Sequence, residues 1–190
     1  MLKADIRKLF LEKRSYLSLY EAEDNSLKLS ELFFRHFSQR VKGYVHVFLP
    51  IEEKAEINTA HIINKIFSEF PHVKLVVPKA DFASSTMESL LFTKDTDLSK
   101  NKWGIPEPVN AVNVNELNID MVLLPMLAFD LQGNRVGYGK GFYDRFLSNC
   151  RRDVLKVGLC FFEPIEIIED LNPFDVKMDW CVTPEKVYKF

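Results

Sequence analysis

Apolar residues in this chain recur in two rhythms. Near the start, Leu2, Ile6, Leu9, Phe10 and Leu17 recur at helical spacing with Lys3, Arg7 and Lys8 between them, which predicts an amphipathic helix over residues 2–20. A second stripe, Leu29, Leu32, Phe33 and Phe37, predicts a helix over 24–40, with Asp24 or Asn25 available to cap it. Gly43 breaks that stripe, and short continuous apolar runs take over. Tyr44-Val-His-Val-Phe-Leu49, ended by Pro50, and Val73-Lys-Leu-Val-Val77, closed by Pro78, read as buried strands. Between them, Asn58 or Thr59 opens a helix whose Ile62, Ile63, Ile66 and Phe67 face inward. Residues 86–93 are a candidate strand, and 94–109 a loop containing Trp103-Gly-Ile-Pro-Glu-Pro108. Met121-Val-Leu-Leu124, closed by Pro125, is a further strand. A helix from about Phe142 to Ser148, a strand over 154–159 and a short strand over Trp180-Cys-Val-Thr183 complete the pattern. Strands alternating with helices predict an α/β fold, a mostly parallel sheet with helices on both faces. Ligands of such folds gather beyond the carboxyl ends of the strands.

Composition narrows this picture. A length of 190 residues suits one domain over 1–190, and neither a repeat nor a linker divides it. With 47% hydrophobic and 27% charged residues, there is ample material for a core. The net charge of −2 provides no general attraction to nucleic acid or anionic membrane, so neither is expected as a partner. Monomer and weak homodimer are both compatible with the chain. Cys150, Cys160 and Cys181 form no CxxC pair and are odd in number, as expected of buried, reduced thiols in a cytoplasmic protein. The start, MLKADIRKLFLEKR, lacks the apolar stretch of a secretory signal. No apolar run approaches the roughly 18–20 residues of a membrane span. His36, His46, His61 and His72 lack metal-ligand spacing, and His46 is expected to face solvent or to be hydrogen-bonded.

The chemistry concentrates in Arg135-Val-Gly-Tyr-Gly-Lys-Gly-Phe-Tyr-Asp-Arg145. The chain has seven glycines, and Gly137, Gly139 and Gly141 stand here at alternate positions. Such spacing permits positive φ and lets successive N–H groups turn toward one object. The helix that follows adds partial positive charge. Lys140 lies inside the loop, with Arg135 and Arg145 at its flanks. Together these make an anion cradle, with phosphate as the natural occupant. Asp144 would be repelled by polyphosphate unless a divalent cation lay between them, so Mg²⁺ is expected as well. The alternatives are a tight structural turn with surface cations, and for Asp144 a salt bridge with Arg145 or a helix-end charge. The loop is neither a P-loop nor a dinucleotide fingerprint, so its spacing alone says phosphate and no more.

The stretch Leu124-Pro-Met-Leu-Ala-Phe-Asp-Leu-Gln-Gly-Asn-Arg-Val-Gly-Tyr-Gly-Lys-Gly-Phe-Tyr-Asp-Arg145 resembles the signature of the 5-formyltetrahydrofolate cyclo-ligase family, also called methenyltetrahydrofolate synthetases. Phe142 stands where tyrosine is common. Other parts of the chain resemble the same family in the same order: Lys3-Ala-Asp-Ile-Arg7; Phe48-Leu-Pro-Ile51 with Glu56-Ile-Asn-Thr59; the Trp103–Pro108 loop; and Asp175, with Asp179 and Val-Thr-Pro-Glu after it. The resemblance implies a three-layer α/β sandwich that converts 5-formyltetrahydrofolate to 5,10-methenyltetrahydrofolate, with ATP as co-substrate and Mg²⁺. It implies an ATP site of Lys3, Arg7, Arg135, Val136, Gly137, Tyr138, Gly139, Lys140, Gly141, Phe142 and Tyr143. Within it, Arg135 and Lys140 would carry the catalysis. It places the folate on Leu49, Glu56, Trp103 and Tyr143, with Glu52 or Glu53 as alternatives to Glu56 because the loop is a residue or two longer than usual. Mg²⁺ falls to Asp144 and Asp175. By spacing alone, Lys3 and Arg7 would read as a solvated helix face. Asp175 would read as an Asx-turn after Pro173, and Trp103 as a lid contact as readily as a pterin wall. Two other functions compete with this one: an isomerase or acyl-CoA transferase on a related α/β scaffold, and a nucleotide-binding module without activity. No glutamate stands in a matching motif for the first, and Arg135, Lys140 and Asp144 are all present against the second.

Overall fold

The structure, a computed structural model, describes residues 1–190 apart from the side chain of Glu52. Its elements in chain order are α1 (Lys3–Ser15), α2 (Leu19–Phe37), β1 (Tyr44–His46), α3 (Ala60–Glu69), β2 (Lys74–Asp81), β3 (Thr86–Phe92), β4 (Leu98–Lys100), β5 (Pro106–Pro108), β6 (Ile119–Pro125), β7 (Ala128–Phe129), β8 (Arg135–Val136), α4 (Phe142–Asn149), β9 (Leu155–Leu159), β10 (Trp180–Val182) and β11 (Val187–Lys189). Seven strands form one sheet in the order β11-β10-β9-β6-β1-β2-β3. The five inner strands are parallel, and β3 and β11 close the edges antiparallel. The expected α/β sandwich is therefore present.

Its layers follow from alternate strand positions. Val45, Leu75, Val77, Met121 and Leu123 pack with Leu29, Phe33 and Phe37 of α2 and Ile62 and Ile66 of α3. Val76, Val122 and Leu124 turn to the other face, against Phe146 and Leu147 of α4. A third cluster seats Ile6 and Phe10 of α1 on Leu127, Ala128 and Val136 of the β7–β8 hairpin. Burying these large side chains contributes roughly 1.5–3 kcal/mol each, an upper figure because unfolded chains already bury part of such surface.

Several boundaries differ from those predicted. The first helix ends at Ser15, and Ser18 starts a new one by a capping box: its Oγ accepts from the Glu21 amide at 3.2 Å while the Glu21 carboxylate accepts from the Ser18 amide at 2.8 Å. Asp24 is thus mid-helix, paired with Lys28. Strand β2 runs through Pro78, because β1 pairs with it only as far as Val76 and leaves no ladder partner waiting for an N–H at Pro78. The expected 94–109 loop contains the β4–β5 pair.

Candidate functional site

From β1 the chain crosses through α3 to β2 on one side, whereas from β6 it proceeds to β9 on the other. The carboxyl ends of β1 and β6 therefore flank a switch point, where open α/β sheets bind ligands. The glycine loop leaves the β7–β8 hairpin at this point. The hairpin turn is pinned by buried Asp130, whose carboxylate accepts from the amides of Gln132 and Asn134 at 3.0 Å each and from Ile168 at 3.2 Å. Asp130 thereby aims Arg135 and ties it to the 160s segment.

Positive φ is required at Gly139 (89°) and Gly141 (68°). At Gly139 a Cβ would also come within 3.0 Å of the Arg7 guanidinium carbon, so glycine lets that arginine lie on the loop. Gly137 has no positive φ, and its missing Cβ faces open space. Among the described residues, none of the amides from Gly137 to Gly141 donates a hydrogen bond within the protein. Gly141 is the N-cap of α4, so the free amides run into a helix N-terminus. Arg145 braces the loop by donating to the carbonyls of Lys140 (2.6 Å) and Ser85 (2.7 Å).

Cations surround these amides. Lys3, Arg7 and Arg14 share one face of α1, being four and eleven residues apart. Arg7 Nε donates to the Gly137 carbonyl at 3.0 Å, and Lys3 Nζ pairs with Asp175. Lys140 extends its side chain to solvent. Arg135, only 7% exposed, donates to Asp144 Oδ1 at 2.7 Å and to the Val176 carbonyl. Burial pulls its pKa down, opposed by Asp144 and Asp175. Asp144 thus partners Arg135, not Arg145.

The two expected metal ligands converge on this arginine. Asp144 Oδ1 also accepts from the Val176 amide at 3.1 Å, next in chain to Asp175, and Asp175 Oδ2 accepts from the Asn172 amide at 2.7 Å. Among the described residues, Asp144 Oδ2 and Asp175 Oδ1 have no hydrogen-bond partner. No cluster of three or more His, Cys, Asp or Glu occurs among them either. Two carboxylates with one open oxygen each fit Mg²⁺, which typically takes one or two carboxylates and fills its remaining positions with phosphate oxygens and water.

At the other end of α1, Glu56 Oε2 accepts from the Ile51 amide at 2.9 Å and Oε1 from the Tyr138 hydroxyl at 2.5 Å. Arg14, 6% exposed, donates to the same hydroxyl. Burial, then Glu56, raises the Tyr138 pKa, so the group remains a neutral phenol. Arg14 was missed in the sequence, where it reads as one more helix charge; the signal was its place on the Lys3–Arg7 face. Leu49 is buried nearby in the β1 loop. Glu53 pairs with Lys100 at 2.9 Å, and Glu52 lies outside the described side chains. Trp103 stacks on Phe82 with ring centroids 3.6 Å apart, and Phe82 meets Phe142 edge-on at 5.1 Å. The Trp103 loop thus reaches the start of α4.

Tyr143 turns inward, and its hydroxyl is buried with no partner among the described residues. Its ring meets His46 edge-on at 5.9 Å. The expectation for His46 is overturned: it is 0% exposed and neither ring nitrogen is bonded. The cause is topology, since β1 is an inner strand and His46 points under α4, with Phe146 at 4.7 Å. Burial lowers its pKa to about 3, leaving the ring neutral.

Comparison with known proteins adds independent findings. The family model for the 5-formyltetrahydrofolate cyclo-ligase family matches residues 1–184. A Schizosaccharomyces pombe protein described as a probable 5-formyltetrahydrofolate cyclo-ligase is 35% identical over 153 residues, covering 72% of each chain. The Mus musculus 5-formyltetrahydrofolate cyclo-ligase is 28% identical over 188 residues, covering 93% of this chain and 91% of its own. The solution structure of Aquifex aeolicus 5,10-methenyltetrahydrofolate synthetase superposes with a TM-score of 0.81 at 29% identity, over 100% of this chain and 93% of the other.

Proposed function

Because the chain belongs to the 5-formyltetrahydrofolate cyclo-ligase family, we propose that it closes 5-formyltetrahydrofolate to 5,10-methenyltetrahydrofolate at the cost of ATP, with Mg²⁺ bound, releasing ADP and phosphate. The observation that carries this reading is the run of unpaired amides from Gly137 to Gly141, ending at a helix N-terminus, with Arg7 laid on the loop at Gly137 and Lys140 within it. A polyphosphate satisfies those donors and neutralises those cations.

The chemistry has one obstacle, which is that a formamide oxygen cannot leave as oxide. The formyl oxygen attacks the γ-phosphorus and ADP departs. N10 then attacks the formyl carbon and loses its proton, and the oxygen leaves as phosphate. Protein groups position and neutralise; none needs to become covalently bound. Arg135 and Lys140 offset charge on the phosphoryl group in transit, and the loop amides hold its oxygens. Lys3 and Arg7 bind the rest of the polyphosphate. Glu56, Leu49, Trp103 and Tyr143 seat the folate, with Tyr138 held between Arg14 and Glu56. Asp144 and Asp175 would hold Mg²⁺, which supplies charge neutralisation between the phosphates.

The test is the absorbance of the methenyl product, followed with purified protein, 5-formyltetrahydrofolate and Mg²⁺ before and after addition of ATP. The expected result is a rise that requires both ATP and Mg²⁺, and a loss of about 100-fold or more in rate for Lys140→Ala. Near-wild-type turnover in that variant would overturn the phosphate reading.

A further inference from the structure

The three cations of α1 give the site a direction. Arg14 reaches Tyr138 beside Glu56, Arg7 reaches Gly137, and Lys3 reaches Asp175. The folate end is the Arg14 end, so a nucleotide whose terminal phosphate faces the folate extends its other end past Lys3.

Past Lys3, residues 170–175 wrap around that residue. The Lys3 amide donates to Asp170 Oδ1 at 2.6 Å, and its ammonium pairs with Asp175. The backbone of the wrap is pinned: the Phe174 amide donates to Asn172 Oδ1 at 3.0 Å and the Asp175 amide to the Asn172 carbonyl at 2.9 Å. Yet its apolar side chains face water. Phe174, immediately before the metal-ligand candidate Asp175, is 82% exposed; Leu171 in the same wrap and Leu2, next to Lys3 in the chain, are 42% and 48% exposed. An uncovered phenyl ring on a pinned backbone, next in chain to the carboxylate that pairs with Lys3, is suited to an aromatic, planar partner.

We propose that Phe174 is the seat of the nucleotide base, stacking on the adenine of the ATP whose phosphates occupy the glycine loop. This inference rests on the phosphate reading above. It makes Phe174 a specificity-determining residue and leaves chemistry at the γ-phosphate untouched. Stacking of a base on an aromatic side chain corresponds to a change of about tenfold in affinity.

The experiment is calorimetric titration of wild type, Phe174→Ala and Phe174→Trp, with a non-hydrolysable ATP analogue and, separately, with inorganic tripolyphosphate. So exposed a side chain can be truncated without disturbing the core. The expected result for Phe174→Ala is analogue binding weakened about tenfold with tripolyphosphate binding unchanged, and recovery in Phe174→Trp. In turnover, KM for ATP rises to the same extent and KM for folate does not. Unchanged analogue affinity, or equal weakening of both ligands, overturns the base seat while leaving the Lys140 result to stand. Wild-type protein that binds neither ligand overturns both readings.

Discussion

Two arginine–aspartate pairs stand at opposite ends of the same parallel strands. Arg135 meets Asp144 at 2.7 Å beyond the carboxyl ends, and Arg151 meets Asp120 at 2.9 Å at the amino ends. Each carboxylate also accepts from a backbone amide, Val176 in one case and Tyr44 in the other. The contacts are nearly the same, but the surroundings are not. Arg135 is 7% exposed and Arg151 is 38% exposed. Burial drags the Arg135 pKa down, whereas the hydrogen bond to Asp120 lifts that of Arg151. Asp120 belongs to a local staple: it fills the space at Gly43, where a Cβ would lie 1.9 Å from its Oδ2, at the break in β1–β6 register. Arg135 is a desolvated charge paired with Asp144 just before the unpaired amides of the glycine loop. A buried ion pair is weak evidence for stability. Its position at the switch point supplies the better explanation.

The largest effect should come from breaking the buried pair. Arg135→Ala leaves Asp144 partly buried without its cation, and such uncompensated charge typically costs about 3–5 kcal/mol. Urea unfolding of this variant checks the figure. A loss below about 1 kcal/mol would make Arg135 no more buried in effect than Arg151, and the contrast would fail.

A second buried polar group at the carboxyl end sharpens the comparison through pH. His46 has a folded pKa of about 3 against an ordinary value of 6.5. Below pH 6.5 the unfolded chain takes up a proton that the folded ring refuses, so acid favours unfolding. The stability is whole above pH 6.5, falls by about 1.4 kcal/mol per pH unit as pH drops toward 3, and is then level. Between pH 6.5 and 5 this amounts to about 2 kcal/mol. His46→Leu should flatten that slope in chemical denaturation across the same window. An unchanged slope would assign the acid sensitivity to other groups.

These contrasts separate what was legible in the chain from what was not. Strands β1, β2, β6 and β9 were readable because inner parallel strands are apolar on both faces, and the glycine loop stood out because three of the seven glycines alternate there. Asp144 drew notice by its charge beside the glycine loop, whereas Asp175 drew notice only through resemblance to a family signature. His46 was misread because alternation says nothing about which face a helix will cover, and α4 covers this one. The Arg14–Tyr138–Glu56 chain spans residues far apart in sequence, so no local spacing announces it. Asp144 and Asp120 look alike in sequence; only the sheet order tells which end of the strands each occupies.

The smallest effect belongs to the exposed pair. Arg151→Ala removes one part-buried hydrogen bond to Asp120 and one exposed hydrogen bond to Asp153, and the arginine itself is 38% exposed. Asp153 is already hydrated, and Asp120 keeps its bond from the Tyr44 amide at 2.9 Å while water enters the space that the 38% exposed arginine leaves. Exposed pairs of this kind contribute about 0.2–1 kcal/mol. Roughly 1 M salt shortens the screening length to about 3 Å, so the penalty of Arg151→Ala should shrink further in salt while that of Arg135→Ala persists. Paired unfolding curves of the two variants at low and high salt measure both terms at once. Equal penalties with equal salt dependence would mean that end of the sheet and depth of burial do not distinguish these pairs. The buried arginine would then be a structural staple, and the case for it as a phosphate-neutralising group would rest on turnover alone.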